Sequence, residues 1–444
     1  MNHRPSIGVL FCGLLLSSCA DLIEESSSAS TTPQNLASPS PYQAPSLTDY
    51  PIAQGAGVEE LVRQAIARHP SPKALREKAN ALDSAAKQAR FLPDPSASVG
   101  GGNLAETAAG NVVATFGVQQ KIPFPGKRNA QAAILSHQAE AFRAKVRSEE
   151  LNLAAKVRKA WWTYYQAQRH AQILTENRTL LETLKDSVVA RIAVNKATQQ
   201  DFLKLENETT RITQRLATTL GQKNSARSTL NSLLYRPHNS PLPNPRASSF
   251  RSFGSASILI SQAFQKHPEI LASQAAIDAS NSQVELAALS NRPDFTAGAL
   301  WSPVSADGLA PSANGEDQLM ATIGVSLPIW EGKTKAKRQG AASSLAAAQA
   351  NLESARTLIQ QQVSASYATF QAERNALSLF SSQLIPDAEN SFELSLTSYQ
   401  TGSGSFLEVI DAWRQLLSYQ LQKAENRSRL GQAEADLIKS AALQ

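Results

Sequence analysis

The side chains best placed to do chemistry are two acids late in the chain, Glu408 and Asp411. Their i, i+3 spacing puts both carboxylates on one face of a helix. They follow Gly402 and Gly404, whose backbone freedom suits a tight reversal between two helices. Two solvated acids near a helix N-terminus would give the same pattern, because negative charge is mildly favourable there. The residues alone leave open whether this face is only solvated or lines a passage for cations.

No other group of residues forms a recognisable reactive or ligand-binding site. None of the histidines has another His, a Cys or a paired carboxylate at metal-ligand spacing. Only two methionines occur, Met1 and Met320, which argues against a methionine relay for copper(I). A nucleophile–base motif, a phosphate-binding loop and a dinucleotide fingerprint are also missing. We therefore expect no enzyme activity, no metal and no cofactor apart from the covalent lipid considered below.

Charge and hydropathy limit the partners of the chain. The formal net charge is +6, but the basic residues are spread along helical segments with many Glu and Asp among them. This pattern favours solvated helix faces and no nucleic-acid partner. No apolar run reaches the ~18 residues that could cross a bilayer as a helix. If the chain enters a membrane, β-strands must do so.

Residues 1–18 form a targeting segment, with Arg4 as a short charged start before an apolar core. The residues Leu16-Ser-Ser-Cys19 resemble the lipobox of bacterial lipoproteins. That resemblance implies cleavage before Cys19 and its acylation, and each buried CH₂ group would contribute ~0.8 kcal/mol to the anchor. Ala20 does not match the Asp of the inner-membrane retention signal, so outer-membrane sorting is permitted. An ordinary secretory cleavage with a chance Cys is the alternative.

The rest of the chain repeats one order of elements: a helix, a β-hairpin, a very long helix and a partner helix. The hairpins are indicated by alternating apolar and small polar residues, and the helices by long patterns almost free of Gly and Pro. The segments are a Ser- and Pro-rich tether with the acylated Cys at 19–56, a first repeat at 57–235 with its hairpin at about 95–122, a Pro-rich linker at 236–255, and a second repeat at 256–442 with its hairpin at about 294–330.

A similar stretch ends each hairpin, where an alternating run meets Pro and then Gly-Lys. The residues are Pro123, Gly126 and Lys127 in the first copy, and Pro328, Gly332 and Lys333 in the second. After the first copy the helical pattern continues to about Val194, which at 1.5 Å per residue is roughly 100 Å. We therefore expect two strand-to-helix junctions with a structural role.

The duplicated plan, the Pro-x-x-Gly-Lys junctions, the lipobox and the long paired helices resemble the TolC-like outer-membrane efflux proteins. The resemblance covers nearly all of the chain after the targeting segment. It implies a mainly α fold with a small membrane β part, in which a homotrimer forms a 12-stranded β-barrel continued by an α-helical periplasmic tunnel. Four strands from one chain could not close a barrel, and open sheet edges are costly in hydrocarbon.

The resemblance also implies a function: a passive exit duct of a tripartite efflux system in a Gram-negative bacterium. The duct would receive metal cations or small organic toxins from an inner-membrane pump of the RND type, through a periplasmic adaptor. The first junction is similar to members of the heavy-metal efflux subgroup. Two other functions stay open, a periplasmic adaptor and a lipid-anchored coiled-coil rod, although adaptors normally carry one helical hairpin rather than two.

In the family, the tunnel closes at its periplasmic tip, where each long helix turns into its partner. The resemblance places Glu408 and Asp411 at this constriction, where three copies would form two negative rings that select cations.

The resemblance also assigns a latch that holds the tip closed. Tyr399 matches the latch tyrosine, and its partner falls on Asp201, which Gln200 precedes. A packed interfacial tyrosine is the alternative for Tyr399. Asn195 stands where the family has Gly, and Asn tolerates the left-handed conformation. The latch arginine of the family falls on Gly404, so this chain departs from the pattern there.

Overall fold

The computed structural model describes residues 47, 49–53, 55–101, 106–246, 249–309, 311–312 and 314–443. The targeting segment, Cys19 and most of the tether lie outside the described residues, so the lipid anchor stays a prediction. From Asp49 onward the described residues belong to one compact unit. Among the helices described, none is both long and apolar enough to span a membrane.

Each half of the chain has two short helices, a very long helix and a long partner helix. In the first half they are α1 (Val58–Arg68), α2 (Pro70–Gln88), α3 (Lys127–Ile192) and α4 (Gln199–Leu233). In the second half they are α5 (Ala256–Lys266), α6 (Pro268–Ala288), α7 (Glu331–Leu379) with its continuation α8 (Ile385–Thr401), and α9 (Phe406–Ser440). This order confirms the predicted fold class of two helix–β-hairpin–helix repeats.

A His-Pro pair divides the helical segment before each hairpin into two helices. Pro70 and Pro268 have no N–H to donate to a preceding turn, but they suit the first position of a new helix. His69 and His267 cap these new helices, because each Nδ1 accepts a hydrogen bond at 3.2 Å from the backbone N–H two residues on. The two repeats therefore share even the residue type that caps this helix.

The two hairpins join into one antiparallel sheet. In order across the sheet, its strands are β1 (Ser96–Gly100), β4 (Thr115–Ile122), β5 (Asp294–Ser302) and β6 (Gln318–Ser326). A ribbon of β2 (Glu106–Thr107) and β3 (Gly110–Asn111) extends the first loop. The central pair β4–β5, with Ile122 opposite Phe295, links the hairpins of the two repeats. Strands β1 and β6 are left at the edges.

α7 and α8 form an almost continuous helix that widens into a π turn at Phe380–Leu384. Pro386 lies two residues after the end of this turn. A proline inside a helix removes one hydrogen bond and crowds the carbonyl four residues earlier, and a π turn relieves this crowding. The proline therefore widens the helix instead of ending it.

The long helices pack through three apolar clusters. The first contains Trp161 and Trp162 of α3, the second surrounds Phe370 of α7, and the third surrounds Trp413 of α9. In the first, Gly431 of α9 lies directly on Trp162, because a Cβ at Gly431 would be 2.1 Å from the indole ring. The third cluster lies at the turns between the long helices and their partners.

Candidate functional site at the helix turns

The first turn joins α3 to α4 through a residue in the left-handed conformation, Asn195, with φ of 56°. Thr198 then caps α4, because its hydroxyl accepts a hydrogen bond from the Asp201 N–H at 3.3 Å. In return, the Asp201 carboxylate accepts from the Thr198 N–H at 3.0 Å and from its hydroxyl at 2.9 Å. This reciprocal capping box begins the helix. Gln200 lies exposed beside it.

The second turn ends α8 at Gly402, whose φ of 85° lies in the left-handed region that favours glycine. The N–H groups of Ser403 and Gly404 both donate to the Ser398 carbonyl, at 2.9 and 3.0 Å. A Cβ at Gly404 would lie 2.9 Å from the Ser398 Cβ. This turn therefore has no room for the latch arginine that the resembled family places at Gly404.

The structure brings the two turns together in one apolar cluster. It takes side chains from the end of α3, the start of α4, the end of α8 and the start of α9: Val188, Leu205, Tyr399, Phe406 and Val409. The Tyr399 side chain is only 8% exposed, and its ring centroid lies 5.2 Å from that of Phe406. The predicted tip residues of both repeats therefore share one packed end.

Arg191, which the sequence analysis missed, joins the two turns by polar contacts. Its guanidinium donates to the backbone carbonyls of Tyr399 and Gln400, both at 3.0 Å. It also lies 4.7 Å above the Tyr399 ring. The last carbonyls of a helix carry partial negative charge, so a cation is favourable there, and the aromatic face adds to the attraction. Its place in the last turn of α3 was the only sign in the sequence.

The predicted latch residues Tyr399 and Asp201 are not hydrogen-bonded to each other. Within the described part of the chain, the buried Tyr399 hydroxyl has no hydrogen-bond partner. The cap uses Oδ2 of the Asp201 carboxylate. Burial raises the pKa of Tyr399, and the nearby charge of Asp201 raises it further. The direct latch between these two residues stays a prediction.

The acids Glu408 and Asp411 are both exposed, but each already has a partner. Glu408 closes the capping box of α9, where its carboxylate accepts from the Ser405 N–H at 3.3 Å. Asp411 pairs with Arg414 at 3.1 Å, and Arg414 also pairs with the buried Glu208 at 2.6 Å. Among the described residues, no group of three or more His, Cys, Asp or Glu could hold a metal ion.

The first junction binds the two repeats to each other. β4 ends before Pro123, which has no N–H for the ladder, and Gly126 caps α3 with φ of 94°. The Lys127 ammonium then donates to the Asp294 carboxylate and to the Arg292 carbonyl, both at 2.8 Å.

The second junction has the same residue types in a different arrangement. β6 ends at Ser326, before the predicted end of the hairpin at about 330, because Pro328 cannot donate to a ladder. α7 already begins at Glu331, so Gly332 is a helical residue with open space around it. Lys333 is exposed.

Residues 259–442, most of the second repeat, match the family model described as "Outer membrane efflux protein". No curated protein matches the chain. Among solved structures, the fold is similar to a membrane protein from Pseudomonas aeruginosa, with TM-score 0.72 and 18% identity over 90% of this chain and 98% of that one. It is also similar to the outer membrane protein VceC of Vibrio cholerae, with TM-score 0.71 and 18% identity over 86% and 95%. The open MtrE outer membrane channel of Neisseria gonorrhoeae matches with TM-score 0.70 and 21% identity over 86% and 88%.

Over the rest of the chain the likeness is one of fold, which is shared with these proteins over most of their lengths. Residues 259–442 therefore resemble the outer membrane efflux protein family, and the chain as a whole has the fold of these outer-membrane proteins.

Proposed function

We propose that the chain is the outer-membrane exit duct of a tripartite efflux system in a Gram-negative bacterium. It would act as a passive channel that extends into the periplasm and receives its cargo from an inner-membrane pump. The observation that carries this proposal is the fold shared with outer-membrane channels over 86% or more of the chain, together with the family match.

The sheet supports a homotrimer. β1 and β6 are open edges, and Ile323 of β6 is 84% exposed. In hydrocarbon each unpaired backbone group costs several kcal/mol, so the edges must pair with other copies. Three copies would supply the twelve strands of a closed barrel, and their long helices would form the tunnel.

Other parts of the proposal rest on the family resemblance. They are acylation of Cys19 in the outer membrane, a periplasmic adaptor, a pump of the RND type, and a cargo of metal cations or small organic toxins. At the tip, Tyr399, Asp201 and Gln200 would latch the closed state, while Glu408 and Asp411 from three copies would form the negative rings.

Conductance of the purified protein in planar lipid bilayers tests the proposal. We expect discrete channels that prefer cations, and a protein that never conducts would exclude the duct. The double change Glu408→Gln and Asp411→Asn should reduce the cation preference, because it removes two charges per copy at the constriction. Glu77→Gln with Glu285→Gln, on the short helices, is the control of equal charge. If both pairs behave alike, the tip acids are not the filter.

A further inference from the structure

The basic residues around the sheet are confined to one of its ends. Residues 96–120 and 295–330, which hold nearly all of the strands and the loops between them, contain no Lys or Arg. Their acids are Glu106, Asp307, Glu316 and Asp317, all in or beside the loops. The loop end of the sheet is therefore acidic.

The helix end of the sheet is basic. In residues 87–95, 121–128, 291–294 and 331–338 the acids Asp94, Asp294 and Glu331 are outnumbered by ten cations: Lys87, Arg90, Lys121, Lys127, Arg128, Arg292, Lys333, Lys335, Lys337 and Arg338. Two of them join neighbouring segments at this end, since Arg128 donates to the Arg90 carbonyl at 2.8 Å, and Arg338 donates to the Ala288 carbonyl at 3.2 Å. We call these ten residues the basic collar.

Part of the collar is needed for the fold, and part is free to bind. The Lys127 ammonium is hydrogen-bonded to the Asp294 carboxylate and the Arg292 carbonyl. Lys333, Lys335 and Lys337, in contrast, are exposed and have no ion pair with any carboxylate among the described residues. Lys333 and Lys337, at positions i and i+4, lie on one face of α7, and Lys335 lies on the opposite side of the helix.

Exposed aromatic side chains separate the collar from the apolar strands. Trp330, 72% exposed, stands between β6 and Lys333, and Phe91, 73% exposed, stands between Arg90 and β1. Along the chain the order is apolar strand, aromatic residue, then lysine. A bilayer presents hydrocarbon, interface and phosphate in the same order along its normal, and aromatic residues are enriched at the interface.

We propose that the basic collar binds anionic phospholipid head groups at the periplasmic surface of the outer membrane, with Lys333, Lys335 and Lys337 as the main phosphate contacts. This inference rests on the proposed placement of the sheet in that membrane. A lysine near an anionic lipid surface contributes about fivefold to binding. A nucleic acid or an acidic protein fits less well, because the aromatic residues beside the lysines continue into apolar strands and not into a charged groove.

Fluorescence quenching by brominated lipids tests this proposal on the full chain. Trp161, Trp162 and Trp413 are buried in the helix clusters, so a Trp301→Phe background leaves Trp330 as the tryptophan exposed to lipid. The protein is reconstituted in phosphatidylethanolamine vesicles with increasing brominated phosphatidylglycerol or brominated phosphatidylcholine. We expect phosphatidylglycerol to quench Trp330 at a lower mole fraction, and added salt to weaken this preference.

The triple change Lys333→Gln, Lys335→Gln and Lys337→Gln should remove most of the preference, at about fivefold per lysine. Lys196→Gln, Lys204→Gln and Lys223→Gln, at the first turn and on α4, is the control of equal charge and should keep it. The proposal would be overturned if both lipids quenched Trp330 equally in the protein with the unmodified collar, or if the triple variant kept the preference. Either result would leave the membrane placement intact. If neither lipid quenches Trp330, the placement itself, and the proposed function with it, is wrong.

Discussion

Arg191 joins two parts of the chain that are 208 positions apart, and this is why sequence analysis could not assign it. A basic residue in the last turn of a helix normally compensates the carbonyls of its own helix. Here the guanidinium of α3 reaches the last carbonyls of α8 instead. The contact therefore ties the first repeat to the second at the end where the family closes its tunnel.

Arg191→Ala should raise the leak conductance of the closed channel in planar bilayers. The variant loses two hydrogen bonds from a charged donor, for which we expect a cost of about 2 kcal/mol to the closed tip. That cost corresponds to a roughly thirtyfold shift toward open tips. Lys196→Ala, an exposed cation of the same turn, is the control and should leave the leak unchanged. A leak in the Arg191 variant as low as that of the control would show that this contact does not hold the tip.

The turn residues show what could be predicted at this scale. Asn195 and Gly402 adopt the left-handed backbone, whereas Gly404 is not among the residues with positive φ. Few residue types adopt this backbone, so the constraint lies within the turn and is visible in the sequence. The partner of a polar side chain cannot be predicted in this way. Asp201 closes its own helix cap, and Asp411 pairs with Arg414, and both choices depend on how the helices pack.

At the scale of the elements, equal residues in the two repeats have acquired different roles. Gly126 lies outside α3 in a positive-φ cap, whereas Gly332 lies inside α7. The difference follows from the helix start, because α7 begins one residue before its Gly and α3 begins one residue after it. Sequence analysis predicted both junctions, but it could not place a helix boundary to one residue.

Gly431→Ala should destabilise the protein by about 1–3 kcal/mol, because a Cβ would overlap the Trp162 ring and force α3 and α9 apart. Gly221→Ala on α4 is the matched control, since nothing lies within 4 Å of a Cβ there. It should stabilise by about 0.5–1 kcal/mol through helix propensity. Thermal unfolding of the two variants in detergent measures this difference. If the melting temperature of the Gly431 variant were equal to or higher than that of the unmodified protein, the close packing of α9 on Trp162 would be refuted.

The His267 cap should make stability depend on pH. Burial lowers the pKa of His267, opposed by the charge of Glu269 and supported by that of Lys439. Because the folded-state pKa lies below the unfolded value of about 6.5, the neutral cap stabilises the fold above that pH. This contribution is lost as the pH falls from about 6.5 toward the folded-state pKa, since the imidazolium can no longer accept from the Glu269 N–H.

His267→Asn tests this pH dependence, because Asn keeps an acceptor for the cap without titrating. We expect the melting temperature of the variant to fall less than that of the unmodified protein between about pH 7 and pH 5. If the melting temperatures of the two proteins fell equally with pH across this range, other groups would cause the acid sensitivity.

At the scale of the whole molecule, the duplication was visible in the sequence, but the joining of its halves was not. Alternation predicted each hairpin, because the strand period is local. The pairing of β4 with β5 connects residues of different repeats, and its register is a property of the assembled sheet. The same holds for the basic collar, whose members are scattered along the sequence and meet only when both junctions lie at one level.

The two faces of β6 provide the most direct test of the assembled molecule. Ile323, 84% exposed, belongs to the apolar face that would meet lipid, whereas Met320, 53% exposed, belongs to the opposite face. A cationic side chain on the lipid face costs about 2–4 kcal/mol near the bilayer midplane, but on the interior face it stays hydrated. Ile323→Arg should therefore reduce the yield of trimer inserted into vesicles, and Met320→Arg, a substitution of similar length, should not.

In water alone both positions are exposed and both variants would fold equally well. Equal insertion of the two would place the apolar face of β6 outside the hydrocarbon, whereas the expected difference would fix which face of the sheet the trimer turns to lipid.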